Sequence, residues 1–192
     1  MHTLSFTAVI RNTLIHFATA TLFAPSNFAF QKLGLRINAF LFSSHGLKYL
    51  EAILKYHVVP DQVLYSDAYY RHSSGKGSSD DADEHGHHDH EHRRPGVPKG
   101  LFHADLPTLL DGRSLSVDVA RYGRLIEIKV NGFARVDVSD GVARDGVIHV
   151  VSNVLIPPKQ LPAGESDSSD DGEMTVEELV ERLEPYLVER EL

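Results

Sequence analysis

The sequence predicts an α+β fold, helices first and an antiparallel sheet or sandwich after them, on three observations. Leu47, Leu50, Ile53 and Leu54 recur at the three- and four-residue spacing of a buried helix face. Leu115, Val117 and Val119 alternate with polar residues, as do Ile126, Ile128 and Val130, and Ile148 with Val150. Gly112, Gly123, Gly132, Gly141 and Gly146 punctuate these strands, and no helical segment interleaves them. That order of elements is α+β rather than alternating α/β.

Taken along the chain, the elements follow from local chemistry. Met1 to Ala20 carries Arg11 and His16 within a mildly apolar run and ends in Ala18-Thr19-Ala20. Two readings stand: a signal peptide with an A-x-A-like end, or an amphipathic helix with Phe6, Val9, Ile10, Leu14 and Phe17 on one side. In "TLFAPSN", Leu22 and Phe23 open a buried strand and Pro25 ends it. Ser26 or Asn27 then caps a short helix that Ala29 and Phe30 plug into the core. Pro60 turns the chain out of the helix "GLKYLEAILKYHVV" into extended structure.

From Ser73 to Pro98 the composition collapses to Ser, Gly, Asp, Glu and His, which reads as a long exposed loop. In "GVIHVV", Ile148 and Val150 are expected to face inward, with Gly146 permitting a tight turn. After Pro157-Pro158 comes an acidic linker, and then Thr175 and Glu178 at capping-box spacing. Val176, Leu179, Val180 and Leu183 make one stripe, which should dock on its own domain or a partner, and Pro185 ends or kinks the helix.

Composition excludes several functions. A chain of 192 residues with 42% apolar content fits one domain with a real core. The net charge of -8 sits in the tail: residues 165–192 hold 11 acidic and 2 basic side chains, which leaves the rest near neutral. A chain without a concentrated basic face is not a nucleic-acid binder. The absence of cysteine removes disulfide scaffolds, thiolate zinc sites and thiol nucleophiles. No stretch approaches the ~20 apolar residues of a membrane span. No phosphate loop, G-x-S-x-G elbow or H-E-x-x-H motif occurs, so the chain is not expected to be an enzyme.

Three collinear segments resemble the motifs of the fasciclin domain family, in the manner of its single-domain, fungal-type adhesion proteins. They are "TLFAPSNFAFQKL" (Thr21 to Leu33), "LKYHVVP" (Leu54 to Pro60) and "GVIHVVSNVLIPP" (Gly146 to Pro158), with "PTLLDGRSLSV" and "VNGFARV" between them. The resemblance implies a wedge-shaped β-sandwich with packed helices. It implies a fasciclin-like domain over 1–161 with an insert at 73–98, an acidic linker at 162–174 and an amphipathic helix at 175–192. Only 20 residues precede Thr21, so the family's first helices are expected to be truncated. The implied role is non-enzymatic adhesion or protein interaction, with a protein, extracellular-matrix or cell-wall ligand. The implied location is the cell surface or exterior, or alternatively a vacuolar or other secretory compartment.

By carry-over from the family, Tyr56 and His57 are the candidate partner-binding residues. Flanked by Leu54, Val58 and Val59, the pair looks buried, which fits a packed tyrosine and an internally hydrogen-bonded histidine better, and His149 falls under the same reading. The tract "HGHHDHEH" places His85, His87, His88, His90 and His92 among carboxylates, and imidazole is a common ligand for zinc, copper and nickel. No cofactor is expected, and zinc or nickel taken up by an unstructured tract is adventitious, modest in affinity and unselective. The alternative function is a metal- or pH-responsive binding protein built on this loop. Calorimetric titration with zinc or nickel is expected to show no saturable heat at micromolar metal. Stoichiometric uptake that disappears on deletion of 73–98 would instead establish the loop as a metal site.

Overall fold

The computed structural model describes residues 19–66, 100–122, 125–159 and 174–187. The first strand, β1 (Ala20–Pro25), runs into α1 (Asn27–Lys32), α2 (Gly34–Leu41) and α3 (Leu47–Tyr56). The strand β2 (Val58–Pro60) follows directly, then β3 (Gly100–Pro107), β4 (Ser114–Tyr122) and β5 (Leu125–Val130). The chain continues through β6 (Ala134–Ala143) and β7 (Gly146–Val151) to α4 (Val176–Leu183) and a 3₁₀ turn at Glu184–Tyr186.

Among the described residues, the seven strands form one curled, mixed sheet in the order β2-β1-β7-β6-β5-β4-β3. Every neighbouring pair is antiparallel except β1 and β7, which run parallel over six residue pairs from Ala20↔Gly146 to Pro25↔Val151. The sequence reading foresaw only antiparallel pairing, because alternation reveals a strand's buried face and not its neighbour. β5 and β6 share only two register pairs, Lys129↔Arg135 and Val130↔Ala134, so the sheet parts there into two leaves. At its far edges the curl brings the chain back together: the Leu109 N–H donates to the Val58 carbonyl at 2.9 Å.

The inward phase of β7 is the reverse of the one expected. Val147, His149 and Val151 are buried while Ile148 is exposed. Register with β1 dictates this, since Val147, His149 and Val151 lie opposite Thr21, Phe23 and Pro25, and the His149 ring stacks on Phe23 at 5.4 Å. A histidine at a core position disguises the alternation. Gly146 also has a different reason from the one inferred: a Cβ there would lie 1.9 Å from the Ala20 carbonyl oxygen, so close approach of the two strands requires glycine.

The helices bear out their local signals. Ser26 is the cap of α1, its Oγ accepting from the Ala29 N–H at 3.1 Å, and Ala29 is fully buried. Thr175 caps α4 by accepting from the Glu178 N–H at 3.2 Å. Glu178 then pairs with Arg182 one turn on at 2.5 Å. The α4 stripe docks on its own domain, against α2 and α3, with Leu179 and Leu183 fully buried. Burying each is worth about 1.5–3 kcal/mol. Pro185 lies in the 3₁₀ turn that closes the helix.

Candidate functional site

The two family-derived residues, Tyr56 and His57, end α3, and both side chains turn into the domain. They are 1% and 0% exposed, so neither offers surface to a partner in this conformation. His57 Nδ1–H donates to the Ile53 carbonyl at 2.7 Å, and Nε2 accepts from the Leu155 N–H at 2.9 Å. Two hydrogen bonds of that sense require the neutral ring. Burial lowers the His57 pKa to about 4, opposed by the bond to Ile53. The imidazole thereby ties the end of α3 to the segment after β7, 98 residues later.

Tyr56 organises a second link. Its hydroxyl donates to the Ser114 carbonyl at 3.3 Å and accepts from Asn131 Nδ2 at 3.0 Å. Burial raises the phenol's pKa, against the pull of Asn131 and the charge of Arg113. Asn131 adopts φ 52° in the β5–β6 turn, a left-handed conformation that asparagine tolerates. Its Oδ1 accepts from the Ser116 N–H at 3.1 Å.

A third internal constellation surrounds His149. Its Nε2 donates to the Leu64 carbonyl at 2.7 Å, and Nδ1 accepts from the Asp140 N–H at 3.4 Å. The Asp140 carboxylate accepts from both the Ser66 N–H, at 2.7 Å, and the Ser66 hydroxyl. Burial pushes the Asp140 pKa up, but the Ser66 bonds and His149 outweigh it and hold the group below its ordinary value. The buried Arg121 donates to the Ser66 carbonyl and lies over the Phe102 ring.

Two surface features were not read from the sequence. On the outer face of β3–β5, His103 Nδ1 meets Asp118 at 2.7 Å and Nε2 meets Asp105 at 3.5 Å. The hydrogen bond to Asp118 raises the His103 pKa, assisted by the charges of both carboxylates. Beside them runs a half-open groove of about 700 Å³, lined by Asp105, Ser114, Ser116 and Asp118 on the strands. Its other wall holds Leu33, Phe133, Val154, Ile156, Pro158 and Met174. The one available signal was the polar residues that alternate with the apolar ones on β3 and β4.

His85, His87, His88, His90 and His92 lie outside the described residues. Among the described residues, no group of three or more His, Asp or Glu side chains is placed to hold a metal ion, and no helix is long and apolar enough to cross a membrane.

A curled mixed sheet with several packed helices defines an α+β domain. The chain belongs to the fasciclin domain family, whose model, "Fasciclin domain", matches residues 3–157. That family is known for adhesion or protein interaction, is generally non-enzymatic and is typically extracellular or surface-associated. The chain is 30% identical over 187 residues to "Aurofusarin biosynthesis cluster protein S" of Gibberella zeae, across 88% of this chain. It spans 42% of that relative's length. Its fold is similar to that of a FAS1 domain pair from the insect cell adhesion molecule Fasciclin I. The TM-score is 0.51 at 22% identity, covering 78% of this chain and 40% of that one.

The burial of His57 predicts a pH dependence of stability. Its folded pKa of about 4 lies below the unfolded value of 6.5, so the native state binds fewer protons between them. The stabilisation is fully present above pH 6.5 and is lost as pH falls towards 4, up to about 3 kcal/mol. Urea denaturation at pH 7 and pH 4.5 is expected to show this loss, and His57→Gln, whose amide keeps a donor and an acceptor, to lack this portion. An identical pH profile in the variant would refute the assignment.

Proposed function

We propose that the chain is a non-enzymatic adhesion or protein-interaction module that works at the cell surface or in a secretory compartment. Its contact surface is the outer face of β3–β5, where it meets a protein, matrix or cell-wall ligand. The observation that supports this reading is a cluster of large apolar side chains left in solvent: Leu101 at 72%, Tyr122 at 70% and Leu125 at 75% exposed. Tyr122 is paired directly with Leu125, and Leu101 is paired with Ala120, two residues from Tyr122 on the same face. Scattered exposed apolar residues are ordinary, but a contiguous group of three marks a surface that is covered in use. Tyrosine in such a cluster anchors a partner when polar groups rim it, and Glu127, Lys129 and Asp118 continue this face.

On this reading Tyr56 and His57 serve recognition indirectly, by fixing the turn and strand ends that carry the surface. Beads coated with the protein are expected to aggregate or to adhere to cell-wall or matrix preparations. The combined replacement Leu101→Ser, Tyr122→Ser and Leu125→Ser is expected to cut adhesion at least fivefold with the thermal melt unchanged. Undiminished adhesion by the folded triple variant would contradict the proposed surface.

A further inference from the structure

We propose that the groove between the β3–β4 strands and the segment after β7 binds a small molecule: a compact, largely apolar, non-anionic compound with hydroxyl donors along one edge. The site shares Asp118 with the rim of the Leu101–Tyr122–Leu125 cluster but none of its apolar residues, and its occupation does not depend on the adhesion reading. Size comes first. About 700 Å³ falls within the range of roughly 300–1,000 Å³ typical of sites for compact organic ligands.

The two walls then specify chemistry. One is apolar, with Leu33, Val154, Ile156 and Met174 offering aliphatic surface and the Phe133 ring standing at the rim. That wall suits an unsaturated or hydrocarbon face better than a saccharide, whose own surface is lined with hydroxyls. The opposite wall is rich in acceptors, with the carboxylates of Asp105 and Asp118 and the hydroxyls of Ser114 and Ser116. His103 holds both carboxylates in place by bonding each through one ring nitrogen, at 2.7 Å to Asp118 and 3.5 Å to Asp105. A carboxylate retains lone pairs beyond one such bond and takes them up with O–H donors.

Charge narrows the choice further. Arg182 reaches the groove, but its guanidinium is bound to Glu178 at 2.5 Å and does not offset the carboxylates. His103, whose pKa the two carboxylates raise, offsets at most one of their charges, so an anionic ligand is repelled and a ligand with O–H donors is accepted. The Tyr56–Asn131–Ser116 linkage fixes the floor, so the cleft is pre-formed and ligand ordering is the main entropic cost.

The test is a titration of the full chain, labelled with ¹⁵N, with 2,7-dihydroxynaphthalene, followed by amide chemical shifts. Saturable shifts are expected at Ser116, Asn131 and Gly132, with little change at Leu101 and Leu125. Asp118→Asn and, independently, Phe133→Ser are each expected to weaken binding at least tenfold. Phe133 is well exposed, so its replacement leaves the fold intact, which the dispersion of the spectrum verifies. 3,6-Dihydroxynaphthalene-2,7-disulfonate, which keeps both hydroxyls but is anionic, is expected to bind at least tenfold more weakly than the diol. Non-saturable shifts, shifts centred on Leu101 and Leu125, or equal affinity in both folded variants would overturn the proposal. So would saturable binding of cellotetraose at these amides when the diol fails to bind.

Discussion

The parallel pairing of β1 with β7 is the constraint on which the rest of the structure depends. It sets the segments "ATLFAP" and "GVIHVV", more than 120 residues apart in the chain, side by side over six residue pairs. Each neighbouring feature is anchored to that ladder. Gly146 lets the strands approach at the Ala20 carbonyl, and the Ser26 N–H donates to the Val151 carbonyl at 3.1 Å, where α1 begins. The Phe23 N–H donates to the His57 carbonyl at 2.9 Å, which fixes the end of α3 against the same strand. Parallel pairs need long crossovers, and here the crossover is nearly the whole domain.

Seen from that ladder, the histidines are fasteners. His57 and His149 each sit in the interior with both ring nitrogens engaged by backbone groups, and each joins segments distant in sequence. Leaving such buried backbone groups unpaired costs about 1–3 kcal/mol apiece, more than a typical surface contact contributes. The same economy explains why the motif residues most characteristic of the family are not its surface. They hold the curl of the sheet and the turn at Asn131, and the curl in turn displays the outer face of β3–β5 and shapes the groove beside it.

Much of the fold was legible. The α3 periodicity, the Ser26 and Thr175 caps, and the inward row Leu115, Val117 and Val119 on β4 all follow from local spacing and propensity. The docking of α4 followed from its stripe, since Leu179 and Leu183 had to be covered. What escaped was anything set by a partner strand. Ile148 and Val150 looked like the inner row of β7, yet the register with Phe23 places His149 there, and polarity patterns misread a buried hydrogen-bonded imidazole. The candidate sites divided the same way. Tyr56 and His57 were found by motif, and their packed, hydrogen-bonded state was one of the two readings that the flanking aliphatics allowed. The groove was invisible because Leu33, Asp118, Phe133 and Met174 are each unremarkable, and only the curl of the sheet brings them together.

Hydrogen exchange on the native protein tests this account most directly. If closure of β1 on β7, anchored through His57, holds the domain together, the amides of Phe23 and Leu155, both bonded to His57, exchange only by global unfolding. Their opening free energies should equal each other and the value from urea denaturation. Exchange of these two amides through local fraying, with β3–β4 amides outlasting them, would contradict it.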